Sequence, residues 1–346
     1  MFHPAPLSTS LMVRLNEWTN QTWVLPVAVF FPTSRCNSRC ASCDWWKASG
    51  EDDLTIGEIA EVANGLSELG TRLVLFSGGE PLLRPDVFDI AARFRARQIS
   101  LHLHTSGVLL ERTATSVADL FDRVSVSLDA ADETGYRAIR GVAALQTVER
   151  GVARLRALRP TLPVAARCTL HRMNFRELPR LIAHAKAMAF DSISFLAADL
   201  GPRAFGRTAG GAGTNLALGR EEIVEFADVV ERTIADCDDD IVGGFVAESA
   251  SKLRRLPQYY AALAGLAPFP PVTCNAPYMS VVIEADGAVR PCFFHDAVGS
   301  LKTTSLRAIV EGNLRAFRAT LSVPDNRVCE RCVCSIKTSW RSAPWQ

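Results

Sequence analysis

Three cysteines stand within eight residues in the stretch FPTSRCNSRCASCDWWK: Cys36, Cys40 and Cys43, spaced C-x3-C-x2-C. That is too many thiols in too short a span for ordinary packing. Thiolates are the usual ligands of iron–sulfur cubes, and a cube normally takes four of them. A loop this short can bring three sulfurs round one corner of a [4Fe-4S] cluster, and no fourth cysteine lies nearby. One iron is then open to a substrate or cofactor. Two plainer readings compete with this one. A structural zinc site wants four N or S ligands, and His102 and His104 are the next imidazoles downstream in sequence; coincidental core thiols are the other.

A second constellation lies toward the C-terminus. The stretch SVVIEADGAVRPC reads as a β-hairpin, because Asp-Gly between β-branched runs is a strong turn signal, and it brings Cys274 and Cys292 to neighbouring positions. A helix over 305–320 returns the chain to Cys329, Cys332 and Cys334 in VCERCVC. Five thiols are thus gathered in a module of about seventy residues, too small to rest on its own core and expected to be stapled by a metal. A cysteine pair plus C-x2-C is also ordinary spacing for a zinc ribbon, and taken alone the module reads that way. His295, close to Cys292, reads as a neighbour of the ligands or a surface residue. Cys168 and Cys237 stand apart from both groups and read as packing residues.

The rest of the composition restricts the setting. With 346 residues the chain can bury a full core and hold two or three domains. Hydrophobic content of 48% against 22% charged fits a folded globular enzyme and argues against disorder. Lysine plus arginine (38) nearly balances aspartate plus glutamate (37), so no global field draws the chain to nucleic acid or to an anionic membrane. The N-terminus lacks the basic and apolar regions of a signal peptide, and no apolar run approaches a membrane span. A cytoplasmic location is expected, where ten cysteines stay reduced and point to metal or catalysis.

These thiols need a scaffold, and residues 26–200 supply one. Short apolar, β-rich runs at 26–32, 72–77, 99–105, 123–129, 163–170 and 192–198 alternate with amphipathic helices near 55–69, 85–97, 115–120, 145–158 and 175–189. Alternation of this kind predicts a parallel sheet with crossover helices, here an α/β partial barrel of six β/α units. Strands buried on both faces should be apolar throughout, yet three are polar on one face. His102 and His104 share a face of the third strand, Ser125, Ser127 and Asp129 of the fourth, and Arg167 and Thr169 of the fifth. Period-two alternation turns their apolar faces to the helices and these polar faces to a ligand-filled lumen, or to a network of mutually satisfied side chains. After the second strand, FSGGEPLLRPD places two glycines and Glu80 at a strand end, where α/β proteins bind ligands. The glycine-rich stretch 201–219 reads as a mobile surface loop, with an active-site lid as the sharper alternative. Helices near 220–236 and 246–264, separated by an acidic turn at Asp238, Asp239 and Asp240, bridge to the second constellation.

The C-x3-C-x2-C loop followed by Ser77, Gly78, Gly79, Glu80 and Pro81 resembles the radical S-adenosylmethionine (SAM) superfamily, whose GGEP motif contacts the SAM amino group. The resemblance implies a (β/α)6 TIM-like barrel, SAM chelated at the open iron, and reductive cleavage of SAM to methionine and a 5′-deoxyadenosyl radical that abstracts hydrogen from a substrate. It makes Ser127 and Arg167 candidates for the SAM carboxylate, and Thr105 and Asp129 for the ribose region. One departure is Ser42, where the family commonly has an aromatic residue; Trp45 or Trp46 could compensate. In the C-terminal module, C-x12-G-x4-C resembles the opening of a SPASM domain, and the few residues after Cys334 suit the abbreviated "twitch" form with one auxiliary [4Fe-4S] cluster. Its ligands are then Cys274, Cys292, Cys329 and Cys332, with Cys334 spare or replacing Cys332. The expected organisation is an extension (1–25), a barrel (26–218), a helical bridge (219–270) and the SPASM/twitch-like α+β module (271–346). The leading expectation is oxidation of a small biosynthetic intermediate, with an electron donor such as flavodoxin or ferredoxin. Maturation of a ribosomally made peptide comes second; the 35 residues before Cys36 are too few for a leader-binding domain. A non-catalytic iron–sulfur or zinc scaffold is the third. No catalytic acid or base is assigned.

Overall fold

The computed structural model describes residues 6–201 and 215–337. Nine strands run in chain order as β1 (Val27–Thr33), β2 (Leu73–Gly78), β3 (Ser100–Thr105), β4 (Arg123–Ser127), β5 (Val164–Leu170), β6 (Ser192–Ala197), β7 (Ser280–Ile283), β8 (Ala288–Arg290) and β9 (Gly299–Ser300). The helices up to β6 are α1 (Pro6–Thr19), α2 (Ile56–Glu68), α3 (Val87–Arg95), α4 (Leu110–Leu120), α5 (Glu133–Arg140), α6 (Leu145–Leu158) and α7 (Leu178–Ala187). After it come α8 (Arg220–Asp236), α9 (Asp238–Val242), α10 (Ala250–Leu263), α11 (Ala276–Met279), α12 (Leu306–Ile309), α13 (Arg315–Thr320) and α14 (Arg327–Glu330). Two compact units emerge: Met1–Arg35 with Ser49–Leu103 and Val272–Gln346, and Cys36–Ala48 with His104–Pro271.

In the first unit the strand order is β3-β2-β1-β7-β8-β9. β1 pairs in parallel with β2 on one side and with β7 on the other, so every residue of β1 is buried. β7 and β8 form the expected antiparallel hairpin, Ile283 opposite Val289, with Gly287 at φ +86° in its turn. Phe30, Phe76 and Phe94, all fully buried, meet at ring-centroid distances of 5.6 to 5.7 Å. α2 begins with a capping box: Glu58 N–H donates to the Thr55 hydroxyl, and Thr55 N–H to the Glu58 carboxylate. α1 was not foreseen. It is tied down by Asn16, whose Nδ2 donates to the carbonyls of Val24 and Tyr278, each at 2.7 Å.

In the second unit β4, β5 and β6 lie side by side in parallel, with Ala166 opposite Val126 on one flank and Ile193 on the other. Burial alternates residue by residue along β4, β5 and β6, as it does along β3. Val124, Val126, Ala166, Cys168 and Ile193 are fully buried, whereas Ser125, Ser127, Arg167 and Thr169 are only half-buried. The polar and apolar faces fall where period two puts them. Tyr260 on α10 ties this unit together, its hydroxyl donating to the Leu170 carbonyl at 2.6 Å and accepting from Ala198 N–H at 3.0 Å.

Several elements differ from the sequence reading. The acidic run Asp238–Asp240 opens the short helix α9 instead of forming a turn, which suits carboxylates at the positive end of a helix. The helix expected at 305–320 is interrupted by a π-helical stretch, Val310–Leu314, between α12 and α13. α4 starts five residues earlier than expected, and α5 was missed. Most of the 201–219 loop lies outside the described residues. Replacing Phe94 by alanine removes the central ring of the aromatic trio and should cost about 3–5 kcal/mol, read as a lower urea midpoint; an unchanged midpoint would contradict this packing.

Candidate metal centres

The loop Cys36–Ala48 belongs to the second unit, and α5 explains its path. α5 is a two-turn helix with Asp132 as its N-cap, accepting from Gly135 N–H at 2.8 Å, and Gly141 at φ +71° as its left-handed C-terminal stop. The last carbonyls of a helix have no partner within it. Here two of them are taken by the cysteine loop: Arg39 N–H donates to Arg140 O at 2.8 Å, and Ala41 N–H to Ile139 O at 2.9 Å. Cys40 is therefore bracketed by two backbone hydrogen bonds. A Cβ on Gly141 would lie 2.6 Å from Arg39, so only glycine allows the approach.

The three thiols lie within electrostatic reach of one another. Burial, then Cys40 and Cys36, push Cys43 up to about 12. Burial raises Cys40 as well, opposed by the Arg140 guanidinium. Arg140 leaves only 11% of its side chain exposed and pairs with Asp129, Nη1 to Oδ2 at 3.0 Å. Burial weakens its charge, but Cys40, Asp129 and Tyr136 together outweigh that and hold its pKa well above the usual value. Three soft thiol donors on one short loop, which would repel one another as thiolates, suit a site completed by cationic metal, because a metal ligand must be deprotonated. The donor set thus fits a [4Fe-4S] cluster held at three corners.

The other sequence candidates are placed as follows. In the first unit, Gly78 has φ +99°, and a Cβ on Gly79 would lie 2.1 Å from the Arg35 carbonyl oxygen, so this turn demands glycine. Glu80 is fully buried; its N–H donates to Arg35 O at 2.8 Å and its carboxylate accepts from Leu82 N–H at 3.1 Å. Pro81 opens the short 3-10 turn Pro81–Leu83, and Ser77, next to last in β2, is half-buried. In the second unit, Ser127 and Arg167 face each other across the β4–β5 register. Thr105 accepts from Gly107 N–H at 3.0 Å. Asp129 uses both carboxylate oxygens, one for Arg140 and one for Thr169 N–H at 2.8 Å. Trp46 lies beneath Arg39 and Lys47, at 5.9 and 5.2 Å from its ring centroid.

Electrostatic interactions link the five C-terminal thiols into one set, mostly through Cys274 and Cys292. Burial raises Cys292, with Cys274 and Cys334 adding to it; burial, then Cys292 and Cys274, push Cys329 up to about 12. Cys332 is raised by burial and by Cys334, Cys274 and Cys292. Backbone N–H groups surround the sulfurs: Ala276 donates to Cys274 at 3.5 Å, and Phe294 and His295 to Cys292. The His295 ring, against Phe317 at 4.8 Å, places Nε2 3.4 Å from Cys329 Sγ. His295 is thus a neighbour of the thiols, as expected. Hydrogen bonds to sulfur accompany cluster thiolates, so this set also fits an iron–sulfur cluster. Among the described residues no three His, Cys, Asp or Glu side chains converge as one metal ion requires; a cube instead gives each thiolate an iron of its own. Cys168 is fully buried and Cys237 half-buried, and neither belongs to these groups.

Sequence reasoning missed Arg140, Gly141 and Tyr136. The available signal was the helix start at Asp132 and stop at Arg140-Gly141. In the metal-free chain at pH 8, Cys43 at about 12 holds roughly a thousandfold less thiolate than an ordinary thiol. Its iodoacetamide alkylation should therefore lag far behind that of the denatured chain and rise with pH; equal rates in the two states would contradict the burial.

Comparison with known proteins places two domains on the chain. Residues 30–185 match the Radical SAM superfamily and residues 274–333 the SPASM iron–sulfur cluster-binding domain. A probable GTP 3′,8-cyclase of Methanococcus maripaludis (strain DSM 14266) is 36% identical over 124 residues, covering 35% of this chain and 42% of the relative. The pre-heme d1 synthase of Dinoroseobacter shibae is 33% identical over 187 residues, 53% of this chain and 43% of the relative. The chain thus matches about two fifths of the length of these curated relatives. The crystal structure of Streptococcus suis SuiB bound to S-adenosylmethionine superposes with a TM-score of 0.64 at 12% identity, covering 96% of this chain and 79% of that one. That likeness shows the α/β fold: six parallel strands of a partial TIM barrel plus an antiparallel α+β module. No helix among the described residues is long and apolar enough to cross a membrane. The chain belongs to the radical SAM superfamily and carries a C-terminal SPASM iron–sulfur domain.

Proposed function

We propose that this chain is a radical SAM enzyme that modifies a small biosynthetic intermediate, with one auxiliary [4Fe-4S] cluster for electron transfer. The observation that carries the reading is the three-thiol loop seated on α5, with a separate five-thiol set in the C-terminal module. When bound, the first cluster supplies the electron that splits SAM and yields the hydrogen-abstracting radical. Cys36, Cys40 and Cys43 hold it, and the missing fourth thiolate leaves one iron for SAM. The roles implied by resemblance for Ser77–Pro81, Ser127, Arg167, Thr105 and Asp129 in binding SAM form part of this proposal.

Cys274, Cys292, Cys329 and one of Cys332 and Cys334 complete the auxiliary cluster. Four thiolates leave it no vertex for substrate, which favours electron transfer over direct ligation. Support for a small substrate comes from the relatives, which are named for a cyclase of GTP and a synthase of pre-heme d1. A flavodoxin or ferredoxin would supply the low-potential electron.

Two outcomes test the reading. Alanine at Cys36, Cys40 and Cys43 together should abolish 5′-deoxyadenosine formation from SAM and dithionite, measured by chromatography; survival of the product would refute the assignment. Alanine at Cys274 and Cys292 should lower iron from about eight to about four per chain while SAM cleavage stays measurable. Unchanged iron would remove the auxiliary cluster from the account.

A further inference from the structure

We propose that Arg140 is a positioning residue for the first cluster, placing a fixed positive charge beside the Cys40 sulfur and holding the loop that carries it. The proposal rests on the reading that Cys36, Cys40 and Cys43 bind a cluster.

Geometry carries the argument. The backbone of Arg140 and its neighbour Ile139 accept the two hydrogen bonds that bracket Cys40, and Gly141 lets the loop approach. The same residue turns its side chain inward. Its guanidinium is pinned by Asp129 through Nη1, and Asp129 is pinned in turn by Thr169 N–H. Asn174 Nδ2 donates to the Asp129 carbonyl at 2.9 Å, so the anchor cannot swing away.

One donor is left over. Among the described residues Arg140 Nε is buried and has no hydrogen-bond partner, a situation that ordinarily costs about 1–3 kcal/mol, more for a charged group. Cys40 and Cys36 lie within electrostatic reach of that guanidinium. A cluster whose thiolates and sulfides carry negative charge would supply the missing acceptor and add a second anionic partner to Asp129. Burial strengthens the interaction, because little water screens it.

The charges of Arg140 and Asp129 make opposite predictions for the cluster's potential. Reduction adds one electron to the cluster, supplied in a titration by dithionite. A nearby cation favours the reduced form and an anion opposes it. Removing the guanidinium should therefore shift the midpoint to more negative values, whereas neutralising Asp129 should shift it to less negative ones.

The experiment is an EPR-monitored redox titration of the reconstituted full chain, following the signal that changes when SAM is added. Arg140→Gln should shift that midpoint negative, Asp129→Asn positive, and Arg140→Lys should lie between Arg140→Gln and wild type. Wild-type midpoints in these variants, or shifts of one sign in Arg140→Gln and Asp129→Asn, would overturn the proposal. Should Arg140→Gln take up no cluster, the ordering of Arg140→Lys below wild type and Asp129→Asn above it decides. A wild-type chain without any SAM-responsive signal would overturn the functional reading itself.

Discussion

The buried end of α5 is the constraint on which the first metal centre depends. A loop with three cysteines in eight residues has no regular structure to hold it, and three thiolates close together repel. Helix α5 addresses both problems with the groups a helix end leaves over. Its unpaired carbonyls take two N–H groups of the loop, and its last side chain brings a cation to the sulfurs. That cation is retained in the interior because Asp129 compensates it; without the pair, the cost of burying a charge would expel it or the loop. The loop's seat is thus made of the chain's own helix end and ion pair, which fits a site that must keep three sulfurs at three corners and leave the fourth clear.

The C-terminal centre is built differently. Its hairpin is an extension of the first unit's sheet, with β7 paired to the fully buried β1, so Cys274 and Cys292 start from a fixed frame. Cys329, Cys332 and Cys334 come from a short turn around α14, where Asn326 caps the N–H groups of Val328 and Cys329. Arg318, on α13, is buried; it donates to Pro277 O at 2.7 Å, and burial lowers it to about 10. The module thus combines its thiols with buried apolar side chains, among them Val281, Ile283, Val289, Ile309 and Leu314, and with the backbone carbonyl that holds Arg318.

Much of this was legible in the sequence, for identifiable reasons. The six parallel strands announce themselves by β-branched runs, and the period-two switch in β3, β4 and β5 correctly separates His102, Ser125 and Arg167 from their apolar neighbours. Both thiol groups are visible because cysteine spacing is local. Seats and anchors are not local. The Arg140–Asp129 pair joins residues eleven apart through an ion pair, and α5 was missed because a helix of eight residues, with only Tyr136 and Ile139 buried on one face, is too short for its periodicity to stand out. α1 was missed for a similar reason: its tether is a single polar residue, Asn16, bonding to backbone carbonyls far along the chain. The π-helical interruption at Val310–Leu314 leaves the apolar pattern of its helix intact, so periodicity does not reveal it.

An incomplete set of sulfur donors at one cube, beside a complete set at another, is the central claim, and Mössbauer spectroscopy of the chain reconstituted with iron-57 tests it most directly. The account predicts two [4Fe-4S] clusters, with SAM shifting the parameters of a single iron site in one of them and leaving the other cluster unchanged. A spectrum indifferent to SAM, or a chain that takes up zinc and no cubes, would contradict it.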